Sequence, residues 1–249
     1  MIDIHAHILP AIDDGSSSMG ESLEMAVIAL ESGVDTIVAT PHCDVPGYYE
    51  NYNDDNLRKR LEEFRSALKR ERIPLTVLSG MEIFTMEDTA ELMKEDYFLP
   101  LNHSHYYLME FSFELEPSFM EQQLKSVLKL GAIPILAHPE RYEAIQYEPE
   151  YVGRWIQMGC RMQCNKGSIL GRFGSRPKQA VDYLAKHDWI HVFASDAHSA
   201  KIRTPEMAGL SRYLEEKYSY EYAKRVLFDN PRRIIEDKQI PIHTTRRIR

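Results

Sequence analysis

Leu57, Leu61, Phe64 and Leu68 recur at spacings of four, three and four, with charged residues between them. That pattern predicts a helix with one buried stripe. Further helical stretches are read over Met19–Glu31, Glu121–Leu130 and Tyr151–Met158, stopped by Gly33, Gly131 and Gly159, because glycine just past a helix tolerates the left-handed cap. Arg176–Lys186, Met207–Lys217 and Tyr220–Asp229 complete the set, the last ending before Asn230-Pro231. Between the helices lie seven short apolar runs rich in Ile, Val and Tyr: Ile2–Ile4, Thr36–Ala39, Leu75–Leu78, Tyr106–Met109, Ile133–Ala137, Arg161–Cys164 and Ile190–Ala194. Runs of this kind are what strands buried on both faces look like. Strands alternating with helices imply a parallel sheet with right-handed crossovers. The count predicts a closed or nearly closed α/β barrel. An open doubly wound sheet is the second choice, weakened because no GxGxxG follows any strand.

Composition narrows the class without changing this picture. The chain has 249 residues, 43% hydrophobic and 27% charged, with 12 Gly and 13 Pro. These values exclude collagen-like and disordered chains, and the length suits one domain over 1–249. No apolar run approaches the roughly 18 residues of a membrane span. The formal net charge of −8 argues against a nucleic-acid binder, which usually shows a basic face. Cys43, Cys160 and Cys164 form no CxxC pair, which fits a reducing cytoplasm. The start, MIDIHAHILPAIDDG, has neither the basic nor the apolar region of a secretory signal. The tail His243–Arg249 carries Arg246, Arg247 and Arg249 and reads as a frayed terminus, with contact to an acidic partner or membrane surface as the alternative.

The candidate chemistry sits at the strand ends. His5 and His7 follow the first strand two residues apart, a spacing that sends both imidazoles to one side. His42 follows the second strand in TPHC, and Glu82 the third in SGMEI. Glu110 ends the fourth in YYLMEF, His138 the fifth in ILAHPER, and Asp196 and His198 the seventh in FASDAH. Six of the seven strands thus carry a metal-capable side chain at the C-terminal end, where barrels place their active sites, and the strand beginnings read as bare. Asp14, in the Asp13-Asp14-Gly15 turn, joins them. Five His and four carboxylates suffice for two or three divalent ions, and mixed N/O ligands suit Mn, Zn or Fe. Arg141 and Arg203 lie near His138 and His198 along the chain and read as a phosphate clamp. His103, His105, His187, His191 and His243 do not fit the pattern: His187 and His191 flank the start of the seventh strand, the wrong end, and His103 and His105, before the fourth, read as surface or structural residues. Cys43 reads as a small buried residue rather than a soft ligand.

From MIDIHAHILPAIDDG through TPH, AHPERY and FASDAH to DNPRRII, the chain resembles the polymerase and histidinol phosphatase (PHP) superfamily. Within it, the chain is similar to the bacterial manganese-dependent tyrosine phosphatases of the CpsB/YwqE/CapC type, which belong to capsule and exopolysaccharide operons. The resemblance implies a distorted (β/α)7 barrel holding three divalent metals, Mn2+ foremost, with Fe, Zn or Mg as other loadings. His5, His7, Glu82 and Asp196 would hold the first ion. Glu82, Glu110 and His138 would hold the second, and Asp14, His42 and His198 the third. It further implies phosphotyrosine hydrolysis by metal-activated hydroxide, with Arg141 and Arg203 on the phosphoryl oxygens and Asp196 or His198 available to pass a proton. The implied substrate is the phosphotyrosine-rich tail of a cognate bacterial tyrosine kinase. Tyr48, Tyr49 and Tyr52 read as loop packing, with contact to such a tail as the alternative. No nucleic-acid partner and no stable membrane insertion are expected.

A thiol mechanism is excluded by the sequence. The position six after each cysteine, where a Cys-x5-Arg motif needs arginine, holds Tyr49, Lys166 or Leu170. Other readings stay open at this point. A small-molecule phosphatase such as a histidinol phosphatase would use the same ligands. A PHP exonuclease is disfavoured by the charge. An amidohydrolase would want a bridging carboxylated lysine where this chain has Glu110. The last alternative is a non-catalytic, metal-stabilised partner of a polysaccharide assembly complex.

Overall fold

A computed structural model describes residues 1–241; the basic tail, His243–Arg249, lies outside the described residues. Among the described residues there are nine strands: β1 Ile2–Ala6, β2 Thr36–Ala39, β3 His42–Cys43, β4 Thr76–Ser79, β5 Glu82–Phe84, β6 Tyr106–Glu110, β7 Ile133–Ala137, β8 Arg161–Asn165 and β9 Val192–Ala194. Every pairing between them is parallel, in two sheets ordered β1-β2-β4 and β3-β5-β6-β7-β8-β9.

The seven expected strands and the nine observed ones agree once two interruptions are recognised. Thr40-Pro41 splits the second strand into β2 and β3, because proline brings no N–H to a ladder. Gly80-Met81 splits the third into β4 and β5. A Cβ on Gly80 would lie 2.8 Å from side-chain atoms of Leu101 and Val38, so glycine here marks a close approach. Each break lets the strand change direction before it delivers its functional side chain, His42 or Glu82. The ring then closes where Ala6 pairs in parallel with Ala197, with His7 N–H donating to Ala197 O (2.9 Å) and Asp196 N–H to His5 O (2.9 Å). This closure sets aside the open doubly wound sheet.

Helices cover the outside. Met19–Glu31 is capped by the Ser18 side chain, and Asp55–Arg70 by the Asp54 side chain, which satisfy first-turn N–H groups. The latter buries Leu57, Leu61, Phe64 and Leu68, the stripe the spacing predicts. Some expected boundaries differ: the helix read from Glu121 already begins at Pro117, the strand read from Ile190 begins at Val192, and the last helix runs on. The last helix does not stop at Asn230-Pro231: Tyr220–Lys224 passes through a π-turn, Arg225–Asp229, into a further helix, Asn230–Ile235. A wider turn ahead of Pro231 accommodates a residue that lacks an N–H and would clash in a regular helix.

Tyr142 ties two strand ends beneath the site. Its buried hydroxyl donates to Ala137 O (2.9 Å) and accepts from Phe111 N–H (3.1 Å), joining the chain after β6 to the end of β7. Tyr142→Phe leaves both groups buried and unpaired. The expected cost is about 1–3 kcal/mol, read as a fall in Tm of roughly 2–4 °C per kcal/mol for a chain of this size. An unchanged Tm would show that this bond contributes nothing.

Candidate metal centre

All nine candidate ligands meet at one mouth of the barrel. The buried Glu82 is the hub. Its Oε2 lies 3.1 Å from His5 Nε2, 3.1 Å from His7 Nε2 and 3.2 Å from His42 Nδ1, while Oε1 lies 3.0 Å from His138 Nε2. Glu110 reaches His138 Nε2 (3.4 Å) and His42 Nδ1 (3.5 Å). Asp196 Oδ1 lies 3.5 Å from His5 Nε2 and 3.5 Å from His198 Nδ1. Asp14 Oδ1 lies 3.5 Å from both His42 Nε2 and His198 Nε2. Three groups have donor atoms within 4.8 Å of one another: His7, Asp14, His42 and His198; His5, His7 and Asp196; and His42, Glu82 and Glu110. The grouping overlaps the three sets the resemblance implies without matching them residue for residue.

The hydrogen bonds behind these atoms define their chemistry. His5 Nδ1 faces Gln163 Oε1 at 2.7 Å, and His7 Nδ1 faces Asp13 Oδ2 at 2.7 Å. Both partners are acceptors, because Gln163 Nε2 donates onward to Asn165 Oδ1 (2.8 Å). Each Nδ1 therefore carries the proton, and the neutral tautomer points its Nε2 lone pair inward. These two Nε2 atoms lie 3.2 Å apart and face the Glu82 and Asp196 carboxylates. Lone pairs and anionic oxygens at such distances repel unless a positive charge sits among them. His42 Nδ1 is buried without a hydrogen-bond partner although two carboxylates flank it. The donor set thus fits cations of the borderline, N/O-binding kind.

The ionisation pattern says the same. Burial pushes His138 down to about 4 against its hydrogen bond with Glu82, so the ring is neutral at pH 7. Burial pushes Glu82 up, but His5 and His42 outweigh it and hold its carboxyl well below the usual range. Glu110 is driven well above that range by burial, then by the charges of Glu82 and Asp196. Burial opposes a charge on His7, yet Asp13 and Glu82 raise it well above an ordinary imidazole. Acids that cannot all ionise, beside an imidazole pressed to take a proton, mark a place short of positive charge.

The two arginines stand on the Asp196 side. Arg203 Nη2 lies 2.5 Å and Arg141 Nη1 3.8 Å from Asp196 Oδ2, and both side chains are partly exposed to the mouth. His138, Asp196 and Arg203 all have left-handed backbone (φ 35°, 50° and 54°), strain of the sort that concentrates where a side chain must be aimed. Tyr49 stacks on His42 at 5.8 Å, and Tyr48 projects into solvent. Tyr52 instead belongs to loop packing: its hydroxyl donates to Asp44 Oδ1 (2.8 Å) and its ring meets Tyr97 edge-on.

Other residues fall away from the cluster. His103 and His105 are exposed, His105 pairing with Asp237 at 2.7 Å. His191 Nδ1 accepts from Met162 N–H (3.1 Å), and His187 stacks on Tyr183 at 4.1 Å. Cys43 is buried, and burial pushes its thiol up.

Sequence reasoning missed the outer partners. β8 appeared empty because Gln163 and Asn165 are not metal ligands. Their two-residue spacing nevertheless sends both side chains into the site, where Asn165 Nδ2 donates to Asp196 Oδ2 at 2.5 Å. Asp13 was visible only as part of a turn, yet it holds His7 and also accepts from His42 N–H (2.9 Å). The strand beginnings are not bare either. Asp3 in β1 is fully buried and accepts from Ser195 N–H (3.1 Å), tying β1 to the chain after β9.

Fold and site together define a closed parallel α/β barrel with an acidic, histidine-rich ion-binding mouth. The chain belongs to the CpsB/CapC family of capsular polysaccharide synthesis, whose model matches residues 1–236. It is 37% identical to tyrosine-protein phosphatase YwqE of Bacillus subtilis over 89% of this chain and 86% of that protein. It is 34% identical to tyrosine-protein phosphatase CpsB of Streptococcus pneumoniae over 96% and 100%. A chain from the crystal structures of those two proteins, described there as unique metal-dependent tyrosine phosphatases, superposes with a TM-score of 0.92 at 33% identity, covering 100% of both chains. Among the described residues, no helix is long and apolar enough to cross a membrane.

Proposed function

We propose that this protein is a metal-dependent tyrosine-protein phosphatase of capsular polysaccharide synthesis, built on a single PHP-type unit over residues 1–249. The observation that carries this reading is the inward convergence of His5 Nε2, His7 Nε2 and the Glu82 and Asp196 carboxylates within 3.1–3.7 Å, flanked by two guanidiniums. His5, His7, Asp14, His42, Glu82, Glu110, His138, Asp196 and His198 would hold up to three divalent ions, Mn2+ foremost. Ions so held would lower the pKa of water toward neutrality and neutralise charge on the phosphoryl oxygens. Three of them would bring the formal charge from −8 to about −2 and make the mouth locally positive.

The chain's own residues supply position and charge. Arg141 and Arg203 bind non-reacting phosphoryl oxygens through their planar forks. Gln163 and Asp13 fix the tautomers of His5 and His7. Burial works against the charge on Asp196, but His5 and Arg203 keep its carboxyl well below its ordinary range. It is therefore an anion at neutral pH, and burial with the charge of His7 lowers the His198 imidazole too, so neither group is set up to bring a proton to the leaving oxygen. A tyrosyl phenolate leaves with a pKa of about 10, so little acid assistance is needed, which favours aryl over alkyl phosphates. Tyr48, exposed beside Tyr49, is positioned to meet the phosphotyrosine-bearing tail of a bacterial tyrosine kinase.

EDTA is expected to abolish hydrolysis of a phosphotyrosyl peptide, and added Mn2+ to restore it. A thiol alkylator should have no effect, because Cys43, Cys160 and Cys164 are all buried. Full turnover in chelator would end the metal reading. Faster turnover of histidinol phosphate than of the peptide would move the substrate to the small-molecule class.

A further inference from the structure

The segment that follows β8, Lys166–Phe173, contacts both arginines or the loop that carries them. Lys166 is 2% exposed. Its ammonium does not enter the ion-binding cluster: Nζ donates to Thr204 O (2.5 Å) and Glu206 O (2.6 Å). Those carbonyls lie one and three residues beyond Arg203. On the other side Arg203 O accepts from His198 N–H (2.9 Å), and Arg203 Nε donates to Asp196 O (3.2 Å). Lys166 therefore fastens the free end of a loop whose near end is tied to the ligand segment. Burial works against this ammonium, the nearby carboxylates of Asp3, Glu206 and Asp196 favour its charge, and the hydrogen bonds it donates go to two carbonyls of one loop.

Phe173 acts on the guanidiniums themselves. Its ring centroid lies 5.1 Å from Arg141 Cζ and 5.9 Å from Arg203 Cζ. Phe113 covers Arg141 as well, at 4.4 Å, so Phe173 is the ring the two arginines share. The ring rests on Gly167, where a Cβ would lie 2.6 Å from Phe173 Cε2. Arg172 N–H donates to Gly167 O (2.8 Å), closing the turn that presents Phe173.

We infer that Lys166 and Phe173 are positioning residues that set the separation and orientation of Arg141 and Arg203, Phe173 acting on both arginines and Lys166 on Arg203 alone. The inference rests on the proposal that these arginines hold the phosphoryl group. Asp196 holds one side of Arg203 and Phe113 covers Arg141, but the two like-charged guanidiniums still repel each other at a partly exposed mouth. A shared aromatic face attracts each of them, and a fastened loop removes the motion that would cost orientation.

The test is a set of double-mutant cycles on the Mn2+-loaded enzyme with an aryl phosphate, combining F173L and K166M with R141M and R203M. F173L keeps an apolar group on a half-exposed site and loses the ring. It should lower kcat/KM by about threefold to tenfold, chiefly through KM, and F173Y should restore it. K166M should cost about tenfold or more, with K166R recovering part. In the R203M background the effect of K166M should shrink to less than about twofold and that of F173L should shrink in part; in the R141M background only that of F173L should shrink. In side-chain NMR of the enzyme loaded with diamagnetic Mg2+, the Nε–H signals of Arg141 and Arg203 should both shift in F173L, that of Arg141 keeping the contribution of Phe113. Multiplicative effects in every background, or unmoved arginine signals, would overturn the inference. If K166M fails to fold, F173L decides it alone. Failure of the underlying phosphate-clamp reading looks different: R141M and R203M would then leave turnover unchanged by themselves.

Discussion

Glu82→Gln is expected to empty the centre while leaving the barrel intact. Glu82 is 1% exposed, and its two oxygens face four imidazole nitrogens at 3.0–3.2 Å. Glutamine has the same shape, so packing is conserved. It replaces an anionic oxygen by an NH2 group aimed at nitrogens that themselves need a cation or a proton. Outer partners of metal ligands cost roughly ten- to hundredfold when removed. A residue central to several ligands should exceed that range, so kcat/KM is expected to fall by more than about a hundredfold. Bound Mn2+, measured after gel filtration, should fall by at least one ion per chain. Retention of full metal content and turnover would show that Glu82 is a bystander.

Gly15→Ala should have the second largest effect, although Gly15 bears no reactive group. A Cβ there would fall inside the van der Waals shell of the His7 carbonyl and the His7 Cβ. Neither atom belongs to a flexible side-chain end, so the backbone must move. The turn that moves contains Asp13, which accepts from Gly15 N–H (3.0 Å) while holding His7 Nδ1. Asp14, whose carboxyl is held down to about 2 chiefly by its bond to His198, moves with it. One methyl group thus disturbs His7 and Asp14 together, and roughly tenfold to hundredfold in metal affinity or activity is expected to go. Near-normal far-UV circular dichroism with reduced Mn2+ affinity is the anticipated result. Unchanged affinity would mean that the turn adjusts without disturbing either ligand.

These two variants separate what a sequence displays from what it conceals. Glu82 was legible as a ligand because its side chain and its place after an apolar run are both local facts. The same holds for the HxH and DxH pairs, since a two-residue spacing fixes a shared direction in extended chain. Gln163 and Asn165 were not legible. Their role depends on which side chains stand across the barrel, and amides carry no signal of ion binding by themselves. The runs read as strands ended at Ala39 and Leu78, and the resumption of pairing at His42–Cys43 and Glu82–Phe84 was hidden, because two- and three-residue strands carry no periodicity. Asn230-Pro231 misled because a π-turn, invisible in residue pattern, let the helix continue.

The sequence by itself determined the alternation of strands and helices, the parallel barrel, and the placing of acids and imidazoles at the strand ends. Those features follow from periodicity and from chirality, which act over a few residues. Only the tertiary structure decided which donors share an atom's neighbourhood, that Glu82 stands at the centre, and that Lys166 and Phe173 reach the two arginines. Those facts depend on barrel closure at Ala6 and Ala197, which brings residues nearly two hundred positions apart into contact, a distance over which no local pattern carries information.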